Sequence, residues 1–236
     1  SLGNGAFNGC SNLSNVTLSE NITTISDSTF GYCPKLQNIS LPSAITSIGS
    51  SAFYNCTNFT EIVIPDNVTS IGSYAFARCS NVSKLYIGNS VQTIDKNAFE
   101  GLANVTSIIV PDSVTSIGEG AFSDCESLES ITIPDSVSSI KKSTFKNCKK
   151  LLKIEIPKSV TMIETGSRYS SDYSYVNHPF VGCDSLTNVI VAADNPFYYV
   201  KDNCLITKQD NILVLGWKGA VISDEVTSIA PGAFYG

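Results

Sequence analysis

The chain is poor in the residues that most chemistry needs. It has one histidine, one methionine and one tryptophan among 236 residues. A single histidine, His178, leaves almost no room for a Ser-His or Cys-His nucleophile, or for a histidine-rich metal site. Charged residues make up only 15%, well below the ~25% usual for soluble domains. The net charge is −6 and the pI about 4.7. That argues against nucleic acid or an anionic membrane surface as partner, since both call for basic patches. No stretch approaches the ~18 apolar residues of a spanning helix, so no membrane insertion is expected. The first residues, SLGNGAFNGC, have neither the charged start nor the apolar core of a secretion signal. There is no Walker-type GxxxxGK[ST] and no GxGxxG. The Gly-x-Gly in GEGAF lies in a bend before Phe122.

What the chain does contain is a repeat. Phenylalanine recurs every 23 residues at Phe7, Phe30, Phe53, Phe76, Phe99, Phe122 and Phe145. Three residues after each comes Cys10, Cys33, Cys56, Cys79, Cys125 or Cys148, with Leu102 in the fifth copy. The pattern is AFxxCxxLxxIxIPxxVxxIGxx. Phe180 and Cys183 follow 35 residues after Phe145, 12 more than one period. Internal periodicity of this length signals a solenoid, in which stacked units bury what no single unit can.

Each unit carries its own local signals. In Leu128-Glu129-Ser130-Ile131-Thr132-Ile133, Ile131 and Ile133 alternate with Ser130 and Thr132, the mark of a half-buried strand. Pro134 ends it. A second short extended piece spans Val137 to Ile140. The glycines after such pieces, Gly49, Gly72 and Gly118, suit a bend with an unusual backbone, and the Ala-Phe segment suits one short helical turn. The fold class expected is a right-handed leucine-rich-repeat solenoid of parallel short β-strands with short helical or irregular turns, an α/β-type architecture of about ten units. It forms one elongated domain over residues 1–236. Residues 164–179 are a loop insertion and 195–222 a divergent unit. The chain starts and stops in mid-repeat without visible caps, which suggests a piece of a longer array.

The pattern AFxxCxxLxxIxIPxxVTSIG resembles the BspA-like, Treponema-type leucine-rich repeats, and the unit NCLITKQDNILVLGWKGAVISDEVTSIAPGAF resembles an insert unit seen among them. The resemblance implies an extracellular or cell-surface adhesion module that binds host, matrix or microbial proteins. It implies no catalytic residue.

A structural core ladder of Phe30, Phe53, Phe76, Phe99, Phe122 and Phe145, with Cys33, Cys56, Cys79, Cys125 and Cys148, follows from the period. Cysteines stacked at one repeat position read as buried free thiols, because parallel stacked side chains make poor disulfides. His178, beside Pro179, reads as a loop residue. Carboxylate pairs such as Asp124-Glu126 and Glu155 with Glu164 read as solvated surface. The sequons at Asn12, Asn15, Asn21, Asn38, Asn55, Asn58, Asn67, Asn81 and Asn104 follow from turn and strand composition.

Recognition therefore falls to outward positions. Between the last two apolar strand residues the repeats carry Thr17, Ser40, Val63, Tyr86, Ile109, Thr132, Glu155 and Ile190. Val63, Tyr86 and Ile109 would form an apolar stripe, flanked by Glu61, Lys84 and Ser107. Cross-strand packing alone could also explain it. A second candidate is the insert, where Tyr169, Tyr173 and Tyr175 alternate with Ser, Asp and Asn in the manner of antibody loops. The aromatics of NPFYY (195–199) and Trp217 could bind sugar, though filling the core is the simpler reading. The expected partner is an extracellular protein, with a glycan as the alternative, bound by a monomeric chain. No enzyme activity, cofactor or metal is expected. A structural stalk and a glycan-binding module are the alternatives.

Overall fold

The computed structural model describes residues 2–165 and 177–234. The repeats form a parallel β-solenoid whose coils present three walls. The first is the strand wall. Glu61–Val63 pairs with Lys84–Tyr86, and Ser107–Ile109, Ser130–Thr132, Lys153–Ile156 and Asn188–Val191 form a second sheet in that order. The second wall is built from two-residue strands, Thr24–Ile25, Ser47–Ile48, Ser70–Ile71, Thr93–Ile94 and Ser116–Ile117, each paired in parallel with the next. Ser139–Ile140 and Met162–Ile163 continue the pattern.

The third wall surrounds the phenylalanines. Here the sequence suggests a helical turn, and the structure shows a ladder of tight turns instead. Every second amide reaches the next coil: Ser51 to Ser73, Phe53 to Ala75 and Asn55 to Ala77, at 2.7–2.8 Å. The amides between turn back within the coil, Ala52 to Gly49, Tyr54 to Ser51 and Cys56 to Phe53. Alternating the two bond directions places left-handed residues two before and two after each repeat phenylalanine from Phe7 to Phe145. Ser51 (φ 54°) and Asn55 (φ 59°) flank Phe53, and Gly120 (φ 63°) and Asp124 (φ 57°) flank Phe122. Backbone polar groups near the core are thereby paired, as burial demands.

Gly49, Gly72 and Gly118 are explained differently from the expectation. They lack a positive φ and serve close approach. A Cβ on Gly118 would lie 2.4 Å from the Lys96 amide nitrogen, and one on Gly72 would lie 2.6 Å from that of Ser50.

Inside, the phenylalanines form a continuous stack. Successive rings from Phe7 to Phe180 lie 5.3, 5.4, 5.1, 5.8, 5.8, 6.1 and 5.6 Å apart, and no pair is tilted by more than 18°. These are offset-stacking distances, which add to what burial alone contributes. Phe30, Phe53, Phe76, Phe99, Phe122 and Phe145 are wholly buried. Eight stacked rings mark fewer regular coils than the ten expected, because residues 198–216 fold into antiparallel strands in place of further coils.

The cysteines pack beside the stack as free thiols. Six donate to the carbonyl of the preceding coil's phenylalanine: Cys33 to Phe7, Cys56 to Phe30, Cys79 to Phe53, Cys125 to Phe99, Cys148 to Phe122 and Cys183 to Phe145, at 3.1–3.5 Å. A small apolar side chain with one weak donor therefore suits the slot. Cys10 departs from the expected burial and is exposed.

After residue 163 the register resumes with the insertion absorbed, since Ile154 pairs with Val189 and the Phe145 amide bonds the Pro179 carbonyl. Tyr198–Lys201, Cys204–Thr207 and Ile212–Gly216 then run antiparallel. Asn195, fully buried, joins this unit to the coils. Its amide donates to the Pro157 and Val160 carbonyls at 2.7 and 3.1 Å and accepts from the Phe197 and Tyr198 amides. Every hydrogen-bonding site of that side chain is used.

Candidate functional interface

The strand wall alternates as its residues dictate. Ile62 and Ile108 point inward and are buried, while Glu61 and Val63, Lys84 and Tyr86, and Ser107 and Ile109 face outward. Val63 lies directly opposite Tyr86 on the neighbouring strand. Val63, Tyr86 and Ile109 are 55%, 47% and 74% exposed, high values for large apolar residues in three successive coils. The Tyr86 hydroxyl donates to Asp66 at 3.0 Å, and Asp66 also accepts the Asn89 amide at 2.9 Å. The ring is thus held in one orientation before any partner arrives. Preorganised aromatic side chains lose little entropy on binding.

Beside this stripe the wall opens into a groove of about 830 Å³. Its floor is Ser130, Ile131, Thr132 and Ile133, and its rim carries Asp135, Lys153, Glu155, Lys158 and Asp194. Lys158 and Asp135 approach to 3.3 Å with both side chains more than half exposed, so the pair contributes little to stability. Acidic and basic side chains together line this rim, as in the polar margin of a protein interface.

Tyr169, Tyr173 and Tyr175 lie outside the described residues. His178, expected in an exposed loop, is fully buried. Its Nε2 lies 3.0 Å from the Val214 carbonyl, and its Nδ1 accepts the Phe180 amide at 3.3 Å. Both ring nitrogens are committed to backbone, so His178 ties the last regular coil to the antiparallel unit and cannot act as a base. Burial lowers its pKa to about 4. The buried cysteines of the ladder are likewise unsuited to nucleophilic chemistry: burial pushes Cys56, Cys125 and Cys183 up to about 12. Among the described residues, no group of His, Cys, Asp and Glu is arranged to hold a metal ion, and no helix is long and apolar enough to cross a membrane.

A family profile described as BspA type leucine rich repeat region matches residues 1–104 and 69–205, in six copies. The chain belongs to the BspA-type leucine-rich-repeat family. No curated protein matches it. Among solved structures, this BspA-type chain is similar to a leucine-rich repeat protein from Bacteroides ovatus, with 26% identity and a TM-score of 0.57 over 80% of this chain. It spans 57% of that protein's length. It is also similar to the Treponema pallidum leucine-rich repeat protein, with 28% identity and a TM-score of 0.62 over 73% of this chain and 77% of the other. Pneumococcal vaccine antigen PcpA, at 22% identity and a TM-score of 0.63 over 79% of this chain and 47% of its own, shares the fold.

The period missed one cluster. Tyr32, Tyr54 and Tyr74 gather on the outside of the turn wall, with ring centroids 5.0 and 6.4 Å apart. They occupy three different repeat positions, so no single column reveals them. A search for tyrosine within two residues of the repeat phenylalanines would have.

Proposed function

We propose that this chain is a non-catalytic recognition module of a secreted or cell-surface protein, and that it binds a protein partner across its strand wall. The observation that carries this reading is the exposed stripe Val63–Tyr86–Ile109 beside the polar-rimmed groove. A contiguous apolar patch on a rigid wall favours contact with a partner, and a fixed tyrosine at its centre is a favoured anchor. The family resemblance supports an extracellular setting. The insert bearing Tyr169, Tyr173 and Tyr175 is proposed as a second contributor on its composition.

The test is a binding screen on immobilised matrix and microbial-surface proteins. It compares the wild-type chain with Tyr86→Ala and with a deletion of 166–179. Removing an anchor tyrosine is expected to weaken a hit by roughly tenfold or more at unchanged melting temperature. Full binding by both variants would refute the assignment, and the absence of any hit would favour a structural stalk.

A further inference from the structure

The left-handed positions of the turn wall hold an anomaly. Most coils fill them with residues that tolerate positive φ, such as Gly5, Gly9, Asn55, Asn97, Gly101, Gly120, Asp124 and Asn147. Three positions hold serine, Ser28, Ser51 and Ser143, and three hold bulky side chains: Tyr32 (φ 58°), Tyr74 (φ 58°) and Arg78 (φ 61°). A bulky side chain in this region is strained, and such strain clusters where a site needs the side chain. The three strained residues converge on one spot. Tyr32 packs against Tyr54 with the rings tilted by 59°, Tyr74 meets Tyr54 nearly edge-on at 70°, and the Arg78 guanidinium lies 5.6 Å from the Tyr54 ring centroid.

Tyr32, Tyr54 and Tyr74 wall a cup of about 300 Å³ completed by Asn8, Ser28, Gly31 and Ser51, with Arg78 outside the lining. A Cβ on Gly31 would stand 2.9 Å from Asn8 Oδ1 and close part of the floor. The lining holds no charged residue. It offers aromatic surface together with hydroxyl and amide groups that donate and accept. Arg78 already places a cation against Tyr54, which argues against a quaternary ammonium ligand. The volume lies at the lower end of small-ligand sites, room for one or two sugar rings. A pyranose has an apolar C–H face that packs on an aromatic ring and a hydroxyl rim that exchanges hydrogen bonds with groups like these. Rings inclined to one another make a cup for such a ligand, rather than the ridged groove that holds an extended proline-rich peptide.

We propose that the Tyr32–Tyr54–Tyr74 cup on the turn wall is a binding site for a neutral saccharide, on a different wall from the protein-binding stripe. The test is saturation-transfer NMR with cellobiose, maltose, chitobiose and N-acetyllactosamine. It uses the wild-type chain, the double variant Tyr32→Gly/Tyr74→Gly, and Tyr86→Ala. Glycine relieves backbone strain at both positions, so the double variant should melt at the same temperature or higher while transfer falls at least tenfold. Tyr86→Ala should keep the full signal. No transfer to any of the four sugars, or equal transfer in the double variant, would overturn the proposal. So would transfer to a proline-rich peptide in place of the sugars. A lowered melting temperature in the double variant would show the tyrosines to be structural and would also overturn it.

Discussion

Mild acid should loosen the junction between the regular coils and the antiparallel unit, through His178. The folded chain holds this imidazole neutral, with a pKa near 4 against an ordinary value of 6.5. Between those values the unfolded chain binds a proton that the folded chain refuses. Stability therefore falls as pH drops from about 6.5 to about 4 and is constant, for this group, above that window. Each tenfold difference in proton affinity between the folded and unfolded chains is worth ~1.4 kcal/mol, so the full loss is on the order of 3 kcal/mol. Protonation also removes the acceptor of the Phe180 amide. The variant His178→Gln keeps a donor and an acceptor but does not titrate in this range. Trp217, the only tryptophan, packs against the core close to the Val214 partner of His178, so its fluorescence reports this junction directly. Urea unfolding followed at Trp217 at about pH 7 and about pH 4.5 should show the wild-type chain losing about 2–3 kcal/mol more than the variant. The carboxylates titrate in both proteins and cancel in that comparison. Equal losses would refute the assignment of His178 as a buried neutral tie.

Three further outcomes follow from the packing. Phe99→Ala removes one ring from the middle of the stack and should cost ~3–5 kcal/mol, read as a drop in the urea midpoint. Gly118→Ala should destabilise by ~1–3 kcal/mol, since its Cβ would meet the Lys96 backbone at 2.4 Å; an unchanged midpoint would show that the coils can separate there. Ellman titration of the native protein should find one fast thiol, the exposed Cys10, and the denatured protein should show all eight cysteines free.

Much of this architecture is legible in the sequence. The phenylalanine and cysteine columns announce a core because identical coils bury identical positions, and strand alternation places Val63, Tyr86 and Ile109 outside. What the sequence hides has definite physical causes. A repeated glycine looks the same whether it serves a positive φ or a close approach, so the role of Gly118 shows only when the coils are stacked. His178 lies in an irregular segment with no period to assign its direction. The tyrosine cup joins residues from three different columns, which only the stacking of coils brings together. The turn ladder rests on backbone bonds between coils, to which side-chain patterning gives no clue.

The proposed binding of a protein by the strand wall can be tested in one experiment. The direct measurement is surface plasmon resonance of the triple variant Val63→Ser/Tyr86→Ala/Ile109→Ser against the protein hits of the wild-type chain, alongside thermal melts of both. The triple variant should melt close to the wild-type temperature, because all three side chains are exposed, with binding reduced at least a hundredfold, a loss of ~3 kcal/mol. Undiminished binding by a folded triple variant would contradict it.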